Sequence, residues 1–129
     1  MKTIQDFTKE VDELIPQIEQ LKNAIKFAQS KTERQDADKK ARPLIAQLNK
    51  ARFCITYLKT NPSETFVNSE IQKLKEKITK REDTISDIKS KYPDYVNTMI
   101  KEDLQKVANL KTEVNEFRTM LRNLKLIMD

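Results

Sequence analysis

The chain has 129 residues, a formal net charge of +5, one cysteine, and neither glycine nor histidine. Without glycine it lacks the phosphate-binding loop, the dinucleotide-binding fingerprint, the nucleophile elbow and the EF-hand calcium loop, each of which requires that residue. Without histidine it lacks the commonest general base and the usual zinc ligands. We therefore expect a protein that is not an enzyme, holds no metal or cofactor, and never needs the left-handed backbone that glycine serves.

The length predicts a single domain spanning residues 1–129. Hydrophobic residues make up 37% and charged residues 35% of the chain, a balance that suits long helices that each bury one narrow stripe. No apolar stretch is long enough to cross a membrane, and the start of the chain does not fit a secretory signal. We expect a cytoplasmic protein with no membrane or small-molecule partner. Its abundance of Lys, Ile and Asn is typical of a phage or an AT-rich bacterial genome.

The first helix is predicted over about residues 3–30, where apolar residues recur at alternating spacings of three and four. Pro16 lies inside this stripe and costs about 3 kcal/mol in a straight helix, because it removes a backbone hydrogen bond. Either the helix bends at Pro16, or one short helix ends near Leu14 and another begins.

The second helix is predicted over about residues 34–60. Its start is open: residues 30–32 could form a turn, or the polar stretch before Arg42 could be a solvated helical extension. Pro43 then either starts this helix or kinks it. Cys54 is expected to be a small, inert residue beside the core, with a dimer disulfide or a reactive thiol as the alternative. The apolar stripe consists of Ala37, Ala41, Leu44, Leu48, Ala51, Ile55 and Leu58.

The side of helix two opposite this stripe combines aromatic and basic residues. At roughly 100° per residue, Phe53 points away from the stripe and Tyr57 lies close to it, with Arg42 and Lys50 on the same face. Phe27, off the stripe of helix one, is a third aromatic in the basic segment 22–60, which has ten basic and three acidic side chains. The face is either buried within the protein or exposed to bind a partner, and in the second case these five residues are the candidate anchors.

Helices three and four are predicted over about residues 63–91 and 94–128, because segments 61–64 and 92–94 place a proline among residues that favour a helix start. The apolar stripe of helix four includes Ile100, and Arg81 and Asp103 interrupt the stripes of helices three and four. They are expected to mark where the bundle frays, pairs charges or admits a partner, or else to fix the register or extend their charged ends into water. Leu104 is expected to replace Asp103 against the core.

Four long helices with short connections predict an all-α fold, either an antiparallel four-helix bundle or a pair of long helical hairpins with coiled-coil-like packing. The missing catalytic residue types favour a non-enzymatic protein that binds another protein, as an adaptor, assembly factor, chaperone or inhibitor. One alternative is a nucleic-acid-binding protein that uses the basic segment 22–60. Another is a structural, oligomeric coiled coil.

Overall fold

The structure is a computed structural model that describes residues 1–92 and 99–129. The helices in these two ranges are α1 (Ile4–Lys26), α2 (Lys31–Leu58), α3 (Glu64–Ser90) and α4 (Lys101–Met128), and the same ranges contain no strand. α1 packs against α2, and α3 packs against α4. The all-α fold predicted from the sequence is confirmed, in the form of helical hairpins.

The chain divides into two compact units, residues 1–62 and residues 63–128. The first unit holds the α1–α2 hairpin and the second holds the α3–α4 hairpin. The organisation of residues 1–129 as a single domain stays a prediction.

Side chains of serine and threonine start the first three helices. The Thr3 hydroxyl accepts a hydrogen bond from the Asp6 backbone N–H, and the Asp6 carboxylate accepts one from the Thr3 N–H at 2.7 Å, which completes a capping box. These bonds hold the pKa of Asp6 below its usual value. Ser30 and Ser63 cap α2 and α3 in the same way, each accepting a backbone N–H three residues on. These capping side chains determine where α1, α2 and α3 begin, because each satisfies a backbone N–H at the start of its helix.

The turn between α1 and α2 spans residues 27–30: α1 ends at Lys26, before the predicted end near residue 30, and α2 begins at Lys31, before the predicted start near residue 34. α1 is one helix with Pro16 inside it, so it is not divided near Leu14. α2 begins directly after Ser30 and contains Pro43, so Pro43 does not start the helix. The polar stretch before Arg42 is thus a solvated helical extension. It can form without large apolar residues because Ser30 satisfies a backbone donor at its start.

The start of helix four differs from the expectation. α4 begins at Lys101, while Met99 and Ile100 lie in no helix. Met99 is buried and Ile100 is 56% exposed, so the predicted stripe does not extend back to Ile100. Pro93 and Asp94, on which the predicted start rested, lie outside the described residues.

Both polar interruptions of the stripes in the second hairpin make specific contacts. Arg81 Nε donates to Glu113 Oε2 at 2.8 Å, and the Tyr92 hydroxyl donates to the Asp103 carboxylate. That hydrogen bond is the main reason why the pKa of Tyr92 is raised. Leu104 does not replace Asp103: it is 43% exposed, whereas Asp103 is half-buried against Tyr92. Glu82 and Arg118 form a further ion pair between α3 and α4.

Each hairpin has a buried apolar cluster. Leu14, Ile18 and Leu48 form one in the first unit, and Ile88, Met99 and Val107 form one in the second. Cys54 is fully buried, and burial raises the pKa of its thiol to about 11. A buried thiol that stays protonated suits the inert role expected of it.

Asn61 overturns the expectation of a backbone without left-handed residues. Its φ is +55°, and its N–H donates to the Leu58 carbonyl at 2.9 Å just past the end of α2. Asparagine is the residue besides glycine that most readily adopts this conformation. The chain therefore ends α2 with asparagine where many proteins use glycine.

Replacing Asn61 by alanine should lower the free energy of unfolding by about 1–2 kcal/mol, because a Cβ without a polar side chain disfavours positive φ. Asn61→Gly should stay within about 0.5 kcal/mol of the wild type, because glycine adopts this φ without strain. Urea denaturation of the two variants measures the difference. Equal losses would show that backbone conformation is not what selects asparagine here.

Candidate functional site

The candidate site is the side of α2 that faces away from α1. The buried residues of α2 are Ala37, Ala41, Leu48, Ala51, Cys54 and Leu58. Roughly opposite them, at spacings of three and four, lie Arg42, Ala46, Lys50, Phe53 and Tyr57, which we call the outward stripe of α2. Arg42, Ala46 and Lys50 are exposed, whereas Phe53 and Tyr57 are half-buried. Packing of the small residues against α1 thus orients the stripe.

The aromatic end of the stripe is an ordered pair. The ring centroids of Phe53 and Tyr57 are 6.4 Å apart and the ring planes differ by 16°, so the rings are stacked. Both side chains lie between the fully buried and fully exposed states that the sequence left open. A stacked pair loses little further conformational freedom when it contacts a partner, which favours binding.

The basic end of the stripe faces solvent. Arg42 Nη2 lies 2.8 Å from the Asp38 carboxylate, and the Arg42 side chain is 79% exposed. A solvated pair of this kind contributes little stability, so Arg42 can exchange Asp38 for a partner's carboxylate at small cost. An open depression of about 290 Å³ lies beside it, lined by Gln35, Asp38, Lys39 and Arg42. This end of the stripe suits a carboxylate.

Phe27 does not lie near the other aromatic residues. It follows α1 at the turn of the hairpin, is 71% exposed, and has the Lys26 ammonium 5.5 Å from its ring centroid. Phe53 lies most of the length of α2 away from this turn, about 33 Å at 1.5 Å per residue. Within one chain, therefore, Phe53, Tyr57, Lys50 and Arg42 share a surface that Phe27 does not join.

The second hairpin exposes apolar side chains that the sequence analysis did not single out. Phe66 is 50% exposed and Met120 is 44% exposed. Both lie off the predicted apolar stripes, so the same reasoning that selected Phe53 could have found them. Ile100 and Leu104 could not have been found in this way, because the pattern assigned both to the core.

The described residues contain neither a candidate metal site nor a candidate membrane-spanning helix. In residues 1–92 and 99–129, no group of three or more Asp, Glu or Cys side chains is arranged to hold a metal ion. In the same ranges, no helix combines the length and the apolar character needed to cross a membrane.

Comparison with known protein families, curated proteins and solved structures finds no match to the chain. The class to which it can be assigned is that of all-α proteins built from helical hairpins.

Proposed function

We propose that the protein works by binding another protein through the outward stripe of α2, as an adaptor, assembly factor, chaperone or inhibitor, and that it is not an enzyme. The observation that carries this proposal is the stacked Phe53–Tyr57 pair, which continues into the exposed Arg42 and Lys50 on one helix face. Aromatic and arginine side chains supply most of the binding energy at protein interfaces. A carboxylate near Arg42 and an apolar group on the aromatic pair would be the complementary features of a partner.

The rigidity of the support favours this function. α2 is 28 residues long, and its opposite side is buried along most of that length. A helix fixed in this way presents its outward side chains at constant spacing. Side chains on such a helix lose less conformational entropy on binding than side chains on a loop do.

The decisive variant is Phe53→Ser/Tyr57→Ser, compared with the matched control Phe66→Ser/Met120→Ser, which removes exposed apolar groups elsewhere. Each immobilised protein is exposed to extract of the source cells, and captured proteins are identified by mass spectrometry. The stripe variant should keep its helical circular dichroism and bind its partner at least roughly tenfold more weakly. The control should bind as the wild type does.

Two results would contradict the proposal. Loss of helical content in the stripe variant would show that Phe53 and Tyr57 are core residues. Capture that does not differ between the stripe variant and the wild type would show that the stripe is not the binding surface.

Nucleic acid is the second candidate partner, and the excess of basic residues in segment 22–60 favours it. Lys39, Lys40 and Arg42 are all exposed. Against it, segment 22–60 contains only three arginines, Arg34, Arg42 and Arg52, whereas arginine is the side chain that most often reads bases in duplex DNA. Phosphate binding would weaken steeply as salt rises and would be lost on reversing the charges of Lys39, Lys40 and Arg42. Unchanged fluorescence anisotropy of labelled DNA and RNA at low salt would exclude this candidate.

A further inference from the structure

α1 carries a second surface that faces away from its hairpin. Its members are exposed and follow one another at spacings of three and four, and we call them the outward face of α1: Asp12, Pro16, Glu19, Asn23 and Phe27. The ion pairs found within residues 1–92 and 99–129 include neither Asp12 nor Glu19. The face therefore presents two carboxylates, Asp12 and Glu19, and ends in the aromatic ring of Phe27, which is 71% exposed.

The two outward surfaces of the hairpin are complementary in charge. The outward face of α1 carries the carboxylates of Asp12 and Glu19, whereas the outward stripe of α2 carries the cationic side chains of Arg42 and Lys50. The surfaces cannot meet within one chain, because each lies on the side of its helix opposite the α1–α2 contact. They can meet only between two copies.

The spacing of the side chains matches as well as their charge. Arg42 and Tyr57 are fifteen residues apart on α2, and so are Asp12 on α1 and Phe27, the residue that caps the end of α1, which corresponds to about 22 Å in each case. When α1 of one copy is laid parallel to α2 of another, this register brings together Arg42 with Asp12, Ala46 with Pro16, Lys50 with Glu19, and the Phe53–Tyr57 pair with Phe27.

The direction of the helices follows from the same side chains. An antiparallel alignment can also pair Lys50 with Asp12 and Arg42 with Glu19, but it leaves Phe27 in water, away from Phe53 and Tyr57. The parallel alignment satisfies both charges and covers the exposed ring. It also places the small side chain of Ala46 against Pro16, which allows close approach of the two helices.

We propose that the partner of the outward stripe of α2 is a second copy of this chain, which contributes the outward face of its α1 with the two helices parallel. The inference rests on the proposed function and names the partner. Because the two faces differ, the contact is heterologous: a copy bound through its α2 still has its α1 face free. Association therefore continues beyond the dimer as concentration rises.

Sedimentation velocity of the full chain over a range of concentrations tests whether copies associate. At low salt the weight-average mass should rise above the 15.2 kDa of one chain and exceed the dimer mass at the highest concentrations. At about 1 M salt, where charges are screened over roughly 3 Å, the mass should fall towards the monomer. A constant monomer mass at low salt would overturn the proposal.

A charge exchange tests which surfaces meet. Arg42→Glu/Lys50→Glu makes both outward surfaces acidic, and Asp12→Lys/Glu19→Lys makes both basic. Each variant alone should associate at least roughly tenfold more weakly than the wild type, because like charges then oppose each other. An equimolar mixture should associate again. All four positions are exposed, so circular dichroism should show intact helices. Failure of the mixture to associate would overturn the assigned surfaces.

A cysteine pair tests the parallel register. Pro16→Cys/Ala46→Cys places thiols on opposite sides of the hairpin, too far apart to bridge within one chain, and Cys54 is buried and can stay. Mild oxidation should give a ladder of linked chains, whereas each single substitution should give dimers at most. Absence of a ladder in associating protein would overturn the parallel alignment.

The outcomes separate this inference from the proposed function. If the chain stays monomeric but still captures a different protein through Phe53 and Tyr57, the second copy is the wrong partner and the proposed function stands. If neither occurs, both proposals fail.

Discussion

Replacing Phe7 by alanine is expected to lower the free energy of unfolding of the first hairpin by about 3–5 kcal/mol. Phe7 is 2% exposed and is among the largest fully buried side chains in the described chain. Its removal loses apolar burial and leaves a cavity that a two-helix unit can close only in part. Urea denaturation followed by circular dichroism measures the loss as a shift of the midpoint at unchanged slope.

Phe27→Ala is the matched control for this prediction. It makes the same chemical change near the other end of α1, but at a side chain that is 71% exposed. Its effect on stability should stay within about 0.5 kcal/mol when measured at concentrations where copies do not associate. Similar losses in the two variants would contradict the burial pattern of the hairpin.

Ala51→Leu should destabilise the first hairpin by about 1–3 kcal/mol, because it places a larger side chain at a closely packed position instead of creating a cavity. Ala51 is 2% exposed and shares the inner side of α2 with Ala41. Small residues at these positions allow α1 and α2 to approach closely. Thermal or urea unfolding of the variant measures the effect.

Ala46→Leu provides the comparison within the same helix. Ala46 is exposed on the outward stripe, so the larger side chain meets no neighbouring helix within its hairpin. Its stability should differ from the wild type by no more than about 0.5 kcal/mol. The same variant should weaken self-association, because it fills the space assigned to Pro16 of the second copy. A destabilisation equal to that of Ala51→Leu would mean that α2 is buried on both sides.

Much of the fold follows from local chemistry that a sequence displays. Apolar residues at spacings of three and four predict the helices, and the proline beside Ser63 marks the start of α3. The start of α2 was harder to place, because the residues after Ser30 contain no large apolar side chain and only the serine cap indicates a helix there. The helical pattern also fails at Ile100, which precedes the first residue of α4.

The candidate surface was predictable in part. The angle of Phe53 and Tyr57 around α2 follows from their positions in the sequence, and so does their closeness to each other. Their half-buried state does not, because it depends on tertiary packing around them. The separation of Phe27 from this pair follows only once α1 and α2 are known to form one hairpin. The hydrogen bond from Tyr92 to Asp103 required the structure, because Tyr92 follows predicted helix three and Asp103 lies within predicted helix four.

The two hairpins differ in where their ionic interactions are directed. In the second, Arg81–Glu113 and Glu82–Arg118 link α3 to α4, so charge is neutralised across the hairpin's own helices. Within residues 1–62, all of which are described, no ion pair joins α1 to α2: the ion pair of Arg42 with Asp38 lies within α2, and the Glu10 carboxylate accepts a hydrogen bond from the Gln47 amide across the hairpin. α1 carries more acidic than basic side chains and α2 carries more basic than acidic ones, so the first hairpin has an acidic side and a basic side. Raising the ionic strength should therefore weaken mainly the α3–α4 contact within the second hairpin. In the first hairpin it should weaken mainly the contacts with other molecules.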